Sequence, residues 1–139
     1  MGGNIRVLNT DLRDYVMKEI ERLAKAICAA HQCQCDVHLV YGYPANTVDA
    51  TCNDIFRKAA ASMGLTVLDN PPVLGAEDFA YYAQEKPAGI AKLGMADPTG
   101  TIAPTSHHNP CFYIDDEKGL PLALEYMLTV YEMALQELM

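Results

Sequence analysis

Apolar residues recur at helical spacing in the first part of the chain. Asn9-Thr10-Asp11 offers side chains suited to a helix start, and charged residues then alternate with apolar ones. The apolar positions fall on one face, and they are Leu12, Val16, Ile20, Leu23 and Ile27. The pattern predicts an amphipathic helix from Asp11 to Ala30.

Similar spacing predicts three more helices. The next is expected to be capped by Asn46, with Asp49 in its first turn and Gly64 as its stop. A shorter helix should follow the Gly75–Phe79 run and end at Pro87. A final helix has one apolar face, formed by Leu120, Leu124, Met127, Leu128, Tyr131, Leu135 and Leu138.

Alternating apolar and polar residues predict β-strands between these helices. Residues 4–8 and 35–41 alternate and flank the first helix, which indicates a βαβ unit with parallel strands. Residues 65–68 and 89–94 are shorter candidates. We therefore expect an α/β fold, with a domain boundary at Gly42-Tyr43-Pro44 that separates residues 1–41 from residues 42–139.

Composition excludes several classes of function. The net charge is −8, and the ten basic residues are dispersed, which argues against nucleic-acid binding. No apolar run reaches the roughly 18 residues of a membrane span, and the first residues lack the apolar core of a secretory signal. Five cysteines without framework spacing fit reduced thiols. We expect a cytoplasmic protein.

The long loop between Met95 and Asp116 is the first candidate for chemistry. It contains His107-His108-Asn109-Pro110 and leads to an acidic pair, Asp115 and Asp116. Histidines with nearby carboxylates suit a divalent-metal ligand and its supporting shell. Two adjacent histidines in a loop also fit a solvent-facing position without a function, and the residues alone leave both interpretations open.

Two other segments also allow two interpretations. Glu77 and Asp78 could stabilise a helix start, or the Gly75–Phe79 run could line a substrate pocket. Arg6 could be a solvated strand residue or a clamp for a substrate carboxylate. A zinc cluster of His31, Cys33, Cys35 and His38 is a weaker alternative, because Cys33 and Cys35 are separated by only one residue.

Taken in order, several segments resemble the aminoacylase and carboxypeptidase family of two-metal hydrolases, particularly its branch of hippurate and auxin-conjugate (indole-acetyl-amino-acid) hydrolases. The resemblance covers essentially the whole chain. The matching stretches are Gly3-Asn4-Ile5-Arg6, Asp11–Ala30, Tyr41-Gly42-Tyr43-Pro44, Gly75–Tyr82 and His108-Asn109-Pro110-Cys111-Phe112.

The resemblance implies a role for each matching part. Residues 1–41 match the second half of a ferredoxin-like lid that mediates dimerisation, and residues 42–139 match the carboxy-terminal part of the catalytic domain. His108 matches a ligand of zinc or manganese, while His107 stands where the family commonly has an apolar residue. Arg6 matches an arginine that holds the substrate carboxylate. Gly75 and Ala76 match pocket backbone.

The chain also departs from the family pattern. The family's other metal motifs and its paired-glutamate motif, which supplies the general base, have no counterpart here, so no catalytic residue is assigned. We expect a carboxy-terminal fragment of an amidohydrolase acting on N-acyl amino acids or short peptides, inactive alone and dimeric through exposed strand edges. The alternative is a non-catalytic dimerisation or interaction module.

Overall fold

The computed structural model describes residues 2–138 of the chain, with side chains from residue 2 to residue 137. Four α-helices form, namely α1 Thr10–Ala30, α2 Ala50–Ser62, α3 Phe79–Glu85 and α4 Asp116–Leu138. Between residues 2 and 138 no β-strand is present. In the same range, no helix combines the length and the apolar character needed to cross a bilayer.

The predicted α/β fold with an opening βαβ unit is therefore wrong for the residues that the structure describes. Residues 4–8 and 35–41 flank α1 without pairing, and residues 65–68 and 89–94 form no strand either. Alternating apolar and polar residues indicate that a segment could be buried on one side. A β-strand forms only when its backbone is also hydrogen-bonded to a neighbouring strand. A parallel pair without further strands is at best marginally stable.

Helix α1 begins and ends almost where the pattern predicts. The Asn9 side chain accepts hydrogen bonds from the backbone N–H groups of Asp11 and Leu12, at 2.8 and 3.2 Å. These bonds satisfy donors that the first turn leaves without partners. The polar face carries ion pairs between Arg22 and Glu19 at 2.7 Å and between Lys25 and Glu21 at 2.5 Å. The predicted amphipathic helix is confirmed.

Helix α2 has a different cap from the predicted one. Asp49, not Asn46, precedes the first helical residue, and its carboxylate accepts a hydrogen bond from the Cys52 N–H at 3.0 Å. The predicted stop is confirmed: Gly64 has φ +69°, and the next N–H bonds back to the Ala60 carbonyl at 2.9 Å. Glycine reaches this left-handed conformation without a Cβ penalty.

The chain divides into two compact units. Unit 1 contains the residues up to Thr47 and Asp69–Ala88, and unit 2 contains Val48–Leu68 and the residues from Gly89 onward. In unit 2, α2 packs against α4 through the rings of Phe56 and Tyr126, whose centroids are 6.2 Å apart. The Tyr126 hydroxyl donates to the Phe56 carbonyl at 3.0 Å.

Little apolar surface is buried within either unit. Among the described residues, the buried apolar side chains are Met17, Pro44 and Ala80 in unit 1 and Ile55, Ala59 and Ala60 in unit 2. The apolar face that the sequence predicts on α4 is exposed instead of buried, from Leu135 at 42% to Met127 at 69%. The Leu138 side chain lies outside the described residues.

Candidate functional site

In unit 1, Arg6 contacts the segment that the family resemblance assigns to substrate binding. Its Nη1 donates a hydrogen bond to the Leu74 carbonyl at 2.8 Å, across 68 positions of sequence. Leu74 directly precedes Gly75 and Ala76, so Arg6 binds the residue next to these two predicted substrate-binding residues. A guanidinium group has five N–H donors in a planar fork, and this bond uses one.

The Gly75–Asp78 segment is exposed and does not require glycine for steric reasons. A Cβ at Gly75 would meet only the Val73 side chain at 3.9 Å, which is an ordinary contact. Asp78 precedes α3 without a side-chain capping bond. Any stabilisation of the helix start by Asp78 therefore involves no side-chain hydrogen bond, and the residue is exposed four positions after Leu74.

A residue near the start of α1 contacts the Tyr41-Gly42-Tyr43-Pro44 segment, which is also one of the stretches that resemble the family. Arg13 Nη1 donates to the carbonyls of Gly42 and Tyr43 at 3.3 and 3.2 Å, and its guanidinium carbon lies 5.1 Å from the Tyr41 ring centroid. The Tyr43 ring meets the Tyr81 ring edge-on, with centroids 5.8 Å apart. Arg13 is not among the apolar positions that define the predicted helix face, and the sequence pattern did not indicate this structural role.

In unit 2, a turn positions the two loop histidines. The Phe112 N–H bonds to the Asn109 carbonyl at 2.9 Å, and the Cys111 N–H bonds to the Asn109 side chain at 2.8 Å. Asn followed by Pro is typical of the first two positions of a tight turn. His108 precedes this turn with φ +64°, a left-handed conformation that is uncommon outside glycine.

The turn separates the two histidine side chains by environment. The His107 ring packs edge-on against Phe112 at 5.0 Å between centroids, and it lines a mostly apolar cavity of about 410 Å³ together with Asp97 and Tyr113. His108 is exposed and is not among the residues that line this cavity. Both histidines are exposed, and only His107 contacts Phe112 and lines the cavity.

The carboxylates near this loop have local structural roles. Asp115 accepts a hydrogen bond from the Lys118 N–H at 3.2 Å, at the start of α4. Asp97 accepts bonds from the backbone of Ile102 and from the side chain and backbone of Thr99, which hold the pKa of its carboxyl below the usual range. The sequence patterns did not single out Asp97, because its partners are backbone groups and one hydroxyl of an irregular loop.

The described residues do not assemble a metal centre by themselves. In that part of the chain, no three His, Cys, Asp or Glu side chains converge as a metal site would need. His108 would be a single donor, so these residues do not fit a two-metal site, which needs several ligands around both ions. The weaker zinc alternative, His31, Cys33, Cys35 and His38, forms no such group in the described residues either. The Cys33 thiol donates to the His31 carbonyl at 3.4 Å, and the His38 ring pairs with the Asp36 carboxylate at 3.1 Å.

Comparison with known proteins identifies relatives of this chain. The model of peptidase family M20/M25/M40 matches residues 5–132. The Bacillus subtilis protein named "Putative amidohydrolase YhaA" is 34% identical over 87% of this chain and 31% of its own length. Thermostable carboxypeptidase 1 of Saccharolobus solfataricus is 30% identical over 84% of this chain and 30% of its own length.

A third relative, N-acetyl-L-cysteine deacetylase of Bacillus subtilis, is 29% identical over 82% of this chain and 26% of its own length. The chain thus spans less than a third of each of these curated relatives. No solved structure matches the chain. The family model covers most of the residues, including Arg6, Gly75, Ala76 and His108, and the chain therefore belongs to peptidase family M20/M25/M40.

Proposed function

We propose that this chain forms the substrate-anchoring part of a metal-dependent amidohydrolase that cleaves the amide bond of N-acyl amino acids or short peptides. The observation that carries the proposal is the contact between Arg6 and the Leu74 carbonyl beside Gly75 and Ala76. It joins a guanidinium group to an exposed backbone segment, an arrangement that suits binding of a carboxylate and an adjacent amide.

His108 is proposed as one ligand of a divalent metal, zinc or manganese, in the complete protein. Its exposure and its place directly before the Asn109 turn support this role, because a metal ligand must be held by a defined backbone and remain accessible. The metal, when bound, would polarise the amide carbonyl and activate water. The residues of this chain contribute orientation, and the chain alone is proposed to be inactive.

The names of the relatives support hydrolysis of small amide substrates. They include an amidohydrolase, a carboxypeptidase and a deacetylase. Within the family we propose the hippurate and auxin-conjugate hydrolase branch, on the strength of the Gly75–Tyr82 and His108–Phe112 motifs. We also propose a cytoplasmic homodimer in which residues 1–41 belong to the lid and residues 42–139 belong to the catalytic domain.

A chimera tests the anchoring role of Arg6. YhaA would carry this chain in place of its matched 123 residues, and hydrolysis of N-acetyl amino acids would be compared with hydrolysis of their carboxamides. Because charged hydrogen bonds contribute about 1.5–3 kcal/mol, Arg6→Ala should lower kcat/KM for the acids by about 10- to 100-fold. The carboxamides should be little affected.

Arg6→Lys is the matched control, since it keeps the positive charge and removes the planar, two-pronged set of guanidinium N–H donors. It should recover part of the preference for the acids. If Arg6→Ala lowered the rates for acids and carboxamides equally, Arg6 would not be a carboxylate anchor. An active chimera with no preference for acids would oppose the proposal in the same way.

A non-catalytic interaction module is the second candidate. It is favoured by the exposed apolar face of α4 and by the lack of converging metal ligands in the described part of the chain. Metal titration separates the two candidates. Tight zinc or manganese binding that requires a second, amino-terminal chain supports the hydrolase, whereas no binding under any condition supports the interaction module.

A further inference from the structure

We propose that Cys28 and Cys35 are a modification site at the end of α1, where they form a reversible disulfide with each other. The oxidant is a low-molecular-weight disulfide, and the product is a covalent link between the helix and the segment that follows it. Both residues belong to unit 1. The inference goes beyond the proposed function and does not depend on it, because neither cysteine is assigned to the substrate or to a metal.

The end of α1 reverses the direction of the chain. The Cys33 N–H donates to the Cys28 carbonyl at 2.8 Å, and the Gln32 N–H donates to the Ala29 carbonyl at 3.0 Å. Gln32 has φ +56°, a left-handed conformation that commonly follows the last residues of a helix. Together these features form a Schellman motif, which closes the helix through two nested backbone bonds. The residues from Cys33 onward therefore turn back towards the last turns of α1.

The reversal places the Cys35 thiol against the Cys28 thiol, and the two are hydrogen-bonded to each other. The Lys25 ammonium, on the same part of α1, interacts electrostatically with both Cys35 and Asp36. Two neighbouring positions of the returning segment therefore lie close to the last turns of the helix. A disulfide requires that two cysteine side chains point towards each other over a short distance. Thiols that are already hydrogen-bonded meet this requirement.

A third cysteine, Cys33, lies between the pair in sequence, but its thiol is directed elsewhere. It is exposed and donates to the His31 carbonyl at 3.4 Å. Cys28 and Cys35 are both half-buried. Spacing alone would favour a disulfide that includes Cys33, because shorter loops close more readily. The folded chain instead brings the two more distant thiols together, and Cys33 provides an internal control.

The oxidation is a thiol–disulfide exchange in which atoms and electrons balance. A thiolate of the pair attacks the small disulfide, whose S–S bond breaks and releases one small thiol. The second protein sulfur, having lost its proton, then attacks the protein sulfur of the mixed disulfide and releases the other small thiol. The two cysteines are oxidised, the small disulfide is reduced, and the two protons from the cysteines end on the released thiols. Excess small thiol reverses the reaction.

The surroundings of the pair control how fast it reacts. The hydrogen bond to Cys28, then burial and the Asp36 carboxylate, raise the pKa of the Cys35 thiol, and the nearby Lys25 ammonium opposes this rise. Lys25 is itself paired with Glu21 at 2.5 Å. Because the thiolate is the attacking species, a raised pKa slows the exchange at neutral pH. We therefore expect the disulfide to form slowly near neutral pH and faster as the pH rises.

The test treats the folded chain with oxidised glutathione and maps its disulfides by peptide mass spectrometry. We expect one internal disulfide, between Cys28 and Cys35, with a mass loss of two hydrogen atoms. At about 1 mM oxidised glutathione, this form should exceed the mixed disulfide with glutathione at these two positions by at least about tenfold, because the neighbouring thiol competes at a high effective concentration. Excess reduced glutathione should restore both thiols.

Cys33→Ser is the matched control, because it removes a neighbouring thiol and leaves the pair intact. It should form the disulfide as the unaltered chain does, whereas Cys28→Ser and Cys35→Ser should each stop at the mixed disulfide with glutathione. Oxidation in concentrated urea is a second control, in which disulfides that include Cys33 should appear, since the folded structure no longer selects the pair. Circular dichroism checks that the variants keep their helices.

Three results would overturn the disulfide proposal. The first is a dominant disulfide that includes Cys33 in the folded chain, and the second is the same distribution of disulfides with and without urea. The third is a folded chain that carries only mixed disulfides with glutathione, or only free thiols, at positions 28 and 35. The map of the unaltered chain decides between these results even when a serine variant does not fold. No catalytic activity enters the readout, so its outcome is independent of the proposed function.

Discussion

The contact between Tyr126 and Phe56 gives the sharpest prediction about the stability of unit 2. Replacing Tyr126 by phenylalanine removes the hydroxyl that donates to the Phe56 carbonyl at 3.0 Å, while the ring remains against its neighbour at 6.2 Å between centroids. The substitution therefore isolates one hydrogen bond from the aromatic contact that holds α2 against α4.

The expected loss is modest, because a neutral hydrogen bond contributes about 0.5–1.5 kcal/mol to the free energy of unfolding. The Phe56 carbonyl lies within α2, where helical bonding reduces the cost of losing a second donor. Tyr126→Ala removes the ring as well, and since the ring is only half-buried we expect about 2–3 kcal/mol, below the 3–5 kcal/mol of fully buried aromatics.

The pH dependence gives an independent check. Burial raises the pKa of the Tyr126 phenol above its ordinary value, because desolvation disfavours the phenolate. The stability that this group contributes is fully present below about pH 10 and is lost as the pH rises through the folded-state pKa. Tyr126→Phe lacks the titrating group, so its stability should fall less steeply in that alkaline range.

Urea denaturation followed by circular dichroism at pH 7 and above pH 10 measures both effects. The midpoint should order the proteins as unaltered chain, Tyr126→Phe and Tyr126→Ala, with the first two closer together at high pH. If Tyr126→Ala unfolded at the same urea concentration as the unaltered chain, α2 and α4 would not be held together by this contact.

Two further substitutions test other parts of the fold. Gly89→Ala should destabilise unit 2 by about 1–3 kcal/mol, because the new Cβ would lie 2.6 Å from the Phe56 ring; an unchanged urea midpoint would contradict this. Asn9→Ala should cost about 1 kcal/mol by removing the cap of α1. Asn9→Asp keeps the acceptor and should be neutral in thermal unfolding, so equal losses in both variants would show that capping is not the cause.

Local features of the sequence were enough to predict the helices. The Asn9 cap and the Gly64 stop depend on neighbouring residues, and both lie where the pattern indicates. The start of α2 was misplaced because Asn46 and Asp49 are both good caps, and only the observed backbone distinguishes them. The strand predictions were wrong because strand pairing depends on residues that are distant in sequence, which a local pattern does not report.

The candidate site shows the same division. The contact of Arg6 with Leu74 spans 68 positions, so no local pattern could predict it, and only the resemblance placed the two segments in one site. Asn109-Pro110 is a sequence typical of the turn that the structure shows, whereas no local pattern indicates the packing of His107 on Phe112. The exposure of the apolar face of α4 could not be predicted either, because an amphipathic pattern does not show what the apolar face packs against.

The metal content of the YhaA chimera tests the central claim most directly. If His108 is a ligand of a two-metal site, the chimera should bind about two zinc or manganese ions per chain, and His108→Ala should lose about one of them together with its activity. His107→Ala is the matched control and should keep both ions. Full metal content and turnover in His108→Ala would contradict the assignment of this chain to the metal site.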